Sequence, residues 1–265
     1  MTGPDAGEKA RLQALAARLS PERPGLVRWP EKTDSTNTAL KAWAEEGAPA
    51  GSVLLAERQR AGRGRLGRRF ESPPGGLYLS YLLRPALAPA EMGEITPWAA
   101  VAVRRALGDC CGLWPEIKWV NDLVWQGKKL CGILCESVLR GGRAESLIVG
   151  IGINVDTAPE EFSPALRETA ASLRSLGFPV KDRSALAAAL IRALDAMARE
   201  FPAGGEERWR EYRAHCLTLG KRVTLPDGTE GLAEDLDRDY ALLVRLPTGE
   251  VRRLRSGEAT LHREA

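Results

Sequence analysis

Histidine is scarce in this 265-residue chain, which carries only His215 and His262. Its five cysteines, Cys110, Cys111, Cys131, Cys135 and Cys216, form no CxxC pair. Protein-held zinc needs closely spaced Cys and His ligands, so no metal centre built from side chains is expected. An odd cysteine count in a chain of this size also argues against a disulfide framework. Cys131 and Cys135 read instead as small core side chains on one face of a strand.

Long apolar runs are missing too. The longest, such as 77–83 and 147–155, fall well short of the roughly 20 residues a membrane helix requires. The opening MTGPDAGEKARLQ is polar where a secretory segment would be apolar, so a cytoplasmic protein without a membrane partner is expected. Charge of one sign is not in excess either. With 38 basic and 35 acidic side chains the net charge is +3, too small by itself to imply a nucleic-acid partner. Internal repeats and low-complexity tracts are absent. What remains, 44% hydrophobic and 28% charged, describes a foldable chain with room for one large and one small domain.

Periodicity divides it. Leucines at helical spacing predict a short lead-in helix over 8–20, ended by PERPG. A helix over 36–46 capped near Asp34 and Ser35, a buried strand over 52–57 and an Arg/Gly run over 58–69 follow. Strands are expected at 77–83, 116–120, 122–126, 130–139 and 146–155, with turns at Gln126-Gly127 and Gly141-Gly142 that require antiparallel pairing. Helices are expected at 97–108, 164–176, 183–200 and 206–217. Past Gly220 only short strands remain, at 221–225, 229–236, 240–246 and 249–255. The division is therefore a lead-in at 1–24, a mixed α and β unit at 25–218 and a small β module at 219–265.

The Arg/Gly run invites two misreadings. Residues 62–67 match GxGxxG, yet the run leads through Pro73-Pro74 into a strand, whereas a dinucleotide fingerprint must open a helix. A phosphate-binding P-loop would need Lys followed by Ser or Thr after Gly67, and Arg68-Arg69 stand there. Six arginines within twelve residues, separated by glycines, suit an anion. On this segment alone a phosphate cradle that closes as a lid, an RNA-binding patch and a solvated basic loop all stand open, although aromatics for base stacking are lacking.

Further motifs align in order with this run: Asp34-Ser35-Thr36-Asn37, then Lys118-Trp119-Val120-Asn121-Asp122, Lys129-Leu130-Cys131-Gly132-Ile133-Leu134-Cys135-Glu136, and Gly150-Ile151-Gly152-Ile153-Asn154. Together they resemble biotin protein ligases over about residues 25–265, with the segment ending at Gly257-Glu258-Ala259-Thr260-Leu261 similar to that family's C-terminal module. The resemblance implies an α+β catalytic domain of the class II aminoacyl-tRNA synthetase-like type with a mixed, largely antiparallel sheet. A Src-homology-3-like β-barrel would follow it. It also implies that biotin and MgATP form biotinyl-5′-AMP, and that a lysine of a biotin carboxyl carrier protein of the acetyl-CoA carboxylase type then takes the biotinyl group. A homodimer through the central sheet occurs in such families.

By the same resemblance Ser35, Thr36, Asn37, Gln59, Arg63, Gly64, Arg65, Lys129 and Gly132 belong to the biotin site. Arg63, Arg68, Lys118, Asn121, Lys129 and Asn154 fall to the nucleotide. Lys129, Asp122, Arg65 and Lys118 carry the chemistry, with Lys129 bridging carboxylate and phosphate and Asp122 assisting deprotonation of the acceptor amine. Gly132 and Gly152 mark places where a β-carbon would obstruct the ligand, while Trp119 and Trp125 read as core. Val120, Leu66 and Phe70 depart from the family's usual proline, arginine and tryptophan. Ligases or transferases of lipoate or octanoate, and a non-catalytic nucleic-acid-binding module, are the competing readings. One helix before Asp34 cannot supply a helix-turn-helix, so specific DNA binding is not expected.

Overall fold

Two tight turns organise the central sheet. Gly141 and Gly142 take φ of 57° and 76°, the left-handed pair that a two-residue hairpin turn demands, and Gln126 and Gly127 do the same at 50° and 75°. In the computed structural model, residues 5–261 are described, apart from 86, 88, 256 and 258. His262 and Glu258, named above, lie outside the described residues.

The elements run α1 (Ala6–Ala16), β1 (Val27–Arg28), β2 (Lys32–Thr33), α2 (Thr36–Glu45), β3 (Val53–Ala56), β4 (Arg58–Gln59) and β5 (Gly76–Leu83). After these come α3 (Ile95–Cys111), β6 (Glu116–Lys118), β7 (Asp122–Trp125), β8 (Lys128–Arg140), β9 (Arg143–Asn154), α4 (Arg183–Glu200) and α5 (Gly205–Ala214). Strands β10 (Arg222–Thr224), β11 (Glu230–Leu236), β12 (Leu242–Arg245), β13 (Val251–Leu254) and β14 (Thr260–Leu261) complete the described chain. The main sheet has the order β1-β3-β5-β9-β8-β7-β6, with β1 parallel to β3 and every other pair antiparallel. Strands β13-β12-β11-β10-β14 form a separate antiparallel sheet. The fold is α+β.

Strand alternation gives the two faces of the main sheet different jobs. Cys131 and Ile133 of β8, Val149, Ile151 and Ile153 of β9, and Leu77, Leu79 and Tyr81 of β5 point to one side, where they share a core with residues of α3 and α4 such as Val103, Leu107, Leu190 and Leu194. The opposite side is half covered. There α2 packs Leu40 and Trp43 against Leu54, Leu82 and Ile148, and beyond that patch the strands carry glycine. Gly152 pairs with Gly132, and the rung continues to Tyr78 on one side and Asp122 then Lys118 on the other. The sheet therefore presents a bare backbone floor bordered by polar residues.

Two helix expectations need correction. Residues 164–176 form turns, because their backbone groups bond neighbouring strands: Lys129 N donates to Thr169 O at 2.7 Å, Ala171 N to Lys129 O at 3.0 Å and Leu173 N to Asn154 O at 3.0 Å. Ser172 and Ser175 also bond each other's backbone, the local competition that disfavours helix. The helix expected at 206–217 stops at Ala214, since Ile117 N donates to His215 O and Leu217 N to Ile117 O. The lead-in helix spans Ala6–Ala16, with the Asp5 carboxylate accepting from Glu8 N.

Candidate active site

A two-strand pairing assembles the first part of the site. Lys32 and Thr33 of β2 lie parallel to Arg58 and Gln59 of β4, which brings Ser35-Thr36-Asn37 beside Gln59 although more than twenty residues separate them in sequence. Gln59 Oε1 accepts from Thr36 N at 2.8 Å and lies 3.0 Å from Thr36 Oγ1, while Gln59 Nε2 donates to Ser72 Oγ at 2.8 Å. Ser35 caps α2, its hydroxyl accepting from Thr38 N. Ser35, Thr36 and Gln59 form a hydroxyl and amide rim along a solvent-open cleft.

Glycine makes the floor. A Cβ on Gly152 would lie 2.5 Å from Phe70 Cε1, and one on Gly132 would lie 3.1 Å from both Phe70 Cε2 and Lys129 Nζ. The Phe70 ring thus rests on bare backbone, packed edge-on against Tyr78 with centroids 6.4 Å apart. Its phenyl face has Lys129 Nζ 6.0 Å from the centroid.

The arginine run folds back on itself to roof the cleft. Gly64 N donates to Arg68 O at 2.8 Å and Phe70 N to Gly62 O at 2.9 Å, while Leu66 at φ 54° and Gly67 at φ 74° form an exposed tip. These two amides are engaged within the loop. Arg65 Nη1 donates to Asn121 Oδ1 at 2.8 Å and Nη2 to Gly257 O at 3.0 Å, which ties the roof to Gly257 between β13 and β14. Arg63 pairs with Glu136 at 3.1 Å. At the far end Lys129 Nζ lies 2.7 Å from Asp122 Oδ1, and Asn121 Nδ2 donates to Asp122 Oδ1 and to Ile133 O, each at 3.0 Å. Cationic side chains thus approach the floor from both ends, the arrangement needed to hold two anions against their repulsion.

Of the residues expected in the site, Ser35, Thr36, Asn37, Gln59, Arg63, Gly64, Arg65, Asn121, Lys129 and Gly132 line this cleft. Asp122 enters through Lys129. Lys118, Arg68 and Asn154 stand outside the lining, and Asn154 Nδ2 donates to Ala171 O at 3.0 Å. Asn37 lines the cleft with its polar atoms engaged elsewhere: Nδ2 donates to Leu134 O and Glu136 Oε2, and Oδ1 accepts from Ser80 Oγ at 2.6 Å. Glu136, Ser72 and Ser80 bond these residues although the motifs do not assign them a role. Glu136 carried a signal, since it follows Gly132 and Leu134 at alternate positions on one strand face. Trp119 is buried, as expected of a core residue.

Comparison with known proteins places the chain among its relatives. Residues 29–154 match the biotin/lipoate A/B protein ligase family and residues 218–261 match the biotin protein ligase C-terminal domain. A biotin–[acetyl-CoA-carboxylase] ligase of Mycobacterium tuberculosis is 36% identical over 216 residues, covering 78% of each chain. The bifunctional ligase/repressor BirA of Bacillus subtilis is 32% identical over 220 residues, 81% of this chain and 68% of the relative. Among solved structures, the biotin protein ligase of Aquifex aeolicus in complex with biotin and ATP superposes with a TM-score of 0.76 at 30% identity, over 90% of this chain and 99% of that one. By sequence and architecture, the chain belongs to the biotin protein ligase family.

Proposed function

We propose that this protein is an ATP-dependent ligase that activates biotin as biotinyl-5′-AMP and transfers it to a lysine of a biotin carboxyl carrier protein. The observation that carries the reading is the glycine floor, flanked by the Thr36–Gln59 rim and approached by Arg63, Arg65 and Lys129. The rim suits a polar bicyclic head, and the glycine floor takes a flat apolar body once the Phe70 ring that rests on it moves aside. Lys129, Arg63 and Arg65 neutralise the carboxylate and the α-phosphate, with Lys118, Arg68, Asn121 and Asn154 assigned to the outer nucleotide.

In the first step a biotin carboxylate oxygen attacks the α-phosphorus of ATP and pyrophosphate leaves. The mixed anhydride hydrolyses readily, so a loop closing over it protects the intermediate. In the second step the acceptor amine attacks the biotinyl carbonyl, AMP leaves with the bonding electrons, and Asp122 takes the amine proton. A lysine amine with an ordinary pKa of about 10.4 is almost wholly protonated near neutrality, which is why a carboxylate there is useful. Among the described residues no group of three or more His, Cys, Asp or Glu side chains is placed to hold a metal ion. We therefore assign Mg²⁺ to the ATP phosphates, its usual mode of delivery. We assign catalysis to residues 25–218, with the β module at 219–265 buttressing it, and we expect neither specific DNA nor a membrane as partner. Pairing of two copies through the central sheet accords with this reading.

The test is pyrophosphate release from MgATP without acceptor, comparing biotin, lipoate and octanoate. Release with biotin alone, together with retained biotinyl-AMP in native mass spectra, is the expected outcome. Release only with lipoate or octanoate would reassign the substrate.

A further inference from the structure

One carboxylate lies where an anion site would be expected to avoid it. Glu136 sits on the floor side of β8, two residues beyond Leu134 and four beyond Gly132, and its partner across β9 is Ile148. Each of its oxygens has a defined partner: Oε1 meets Arg63 Nη2 at 3.1 Å, and Oε2 accepts from Asn37 Nδ2 at 2.8 Å. Asn37 is itself fixed from below, because Ser80 Oγ donates to its Oδ1 at 2.6 Å and its Nδ2 also reaches Leu134 O. Gly150 makes room for that arrangement, since a Cβ there would fall 2.2 Å from Asn37 Oδ1. Ser80 and Asn37 are buried, the Glu136 side chain is 27% exposed and that of Arg63 is 56% exposed. Two hydrogen bonds, Ser80 to Asn37 and Asn37 to Glu136, thus rise from the sheet and end in an ion pair with the arginine on the roof.

We infer that Glu136 is a positioning residue for the ligase reaction. Through the Ser80–Asn37–Glu136 chain it holds the Arg63 guanidinium in register over the glycine floor, and so sets the affinity for the biotin carboxylate. Arginine offers five N–H donors in a rigid fork, and Glu136 engages a single terminal nitrogen. A flexible, half-exposed arginine loses much rotamer freedom when it binds an anion, and prior fixing by a carboxylate removes part of that cost. Placing a negative charge beside an anion site has a clear use when it orients the cation that meets the anion.

The inference rests on the proposed activation of biotin, so the wild-type protein is assayed first. Absence of biotin-dependent pyrophosphate release from it would reject that activity and, with it, the basis of this role. With activity present, Glu136→Gln keeps the shape and an acceptor for Asn37 while removing the negative charge that faces Arg63. We expect KM for biotin to rise about two- to fivefold, the range that follows from losing a partly exposed ion pair, with kcat unchanged. In an Arg63→Ala background the same change should leave KM unaltered. An unchanged KM, a lowered KM, or an equal rise in the Arg63→Ala background would each overturn the role. The last two would make Glu136 a competitor of the ligand or a structural partner of Asn37. Where Glu136→Gln melts below the wild type, Glu136→Asp decides, because it retains the charge. Its KM should lie nearer the wild-type value, and a KM matching Glu136→Gln overturns the inference.

Discussion

Lys129 meets two opposite demands at once, being bonded to Asp122 at 2.7 Å while its methylene next to the ammonium lies 3.1 Å from where a Cβ of Gly132 would be. A side chain so placed can exchange its internal carboxylate partner for a ligand anion with little movement. Removing a charge-assisted contact of this kind costs about 1.5–3 kcal/mol, so Lys129→Ala should slow single-turnover adenylation at least about tenfold. Asp122 has two consequences to separate. As the partner of Lys129 it affects the first step, and as acceptor of the amine proton it affects the second. Asp122→Asn is therefore expected to slow transfer from preformed biotinyl-AMP more than it slows adenylation, read by quenched-flow of the two half-reactions. Equal loss in both would leave only the Lys129 contact. At this scale the motifs were legible as residue types, while their pairings were not. Nothing in the spacing of Arg63 and Glu136, or of Arg65 and Gly257, signals a contact.

Helix α4 shows how an element declares itself locally. Asp182 stands at its N-cap, where Oδ1 accepts from Ser184 N at 2.8 Å and from Ser184 Oγ at 2.6 Å. The Ser184 hydroxyl, chiefly, holds the Asp182 carboxyl below its ordinary value of 3.8. A lowered folded pKa means that the unfolded chain binds the proton more readily, so the stabilisation is complete above the unfolded value and fades as pH falls through the folded one. Asp182→Ala should cost about 0.5–2 kcal/mol near neutrality in urea unfolding. The gap from wild type should shrink on acidification below the ordinary carboxylate range. The helix expected at 183–200 coincides with this element because cap, periodicity and length all agree. The segment 164–176 had similar leucine and alanine content but no such freedom. Its amides and carbonyls meet Lys129, Asn154 and Val155, and tertiary hydrogen bonding overrode the local preference.

Across the whole molecule, the buried Trp119, two residues before Asn121 of the cleft, bonds the segments that flank the strands of the second sheet. Trp119 Nε1 donates to Tyr240 O at 2.9 Å and Trp119 N donates to Thr218 Oγ1 at 2.9 Å, immediately beside Lys118 and close to Asn121. Trp119→Phe leaves the Tyr240 carbonyl without its donor in a buried setting. We expect a loss of about 1–3 kcal/mol in stability by denaturant titration, together with faster hydrolysis of bound adenylate if the second sheet steadies the roof through Arg65. From the sequence alone, local periodicity and turn chemistry indicated mixed helix and strand with hairpin turns, while the resemblance of short motifs implied the α+β class and the residue types expected in the cleft. Only the tertiary structure decided that β2 lies along β4 so that Thr36 meets Gln59, that Gly132 and Gly152 share a rung beneath Phe70, and that Glu136 supports Arg63. Those outcomes rest on strand order, register and the packing of side chains remote in sequence, which no local pattern encodes.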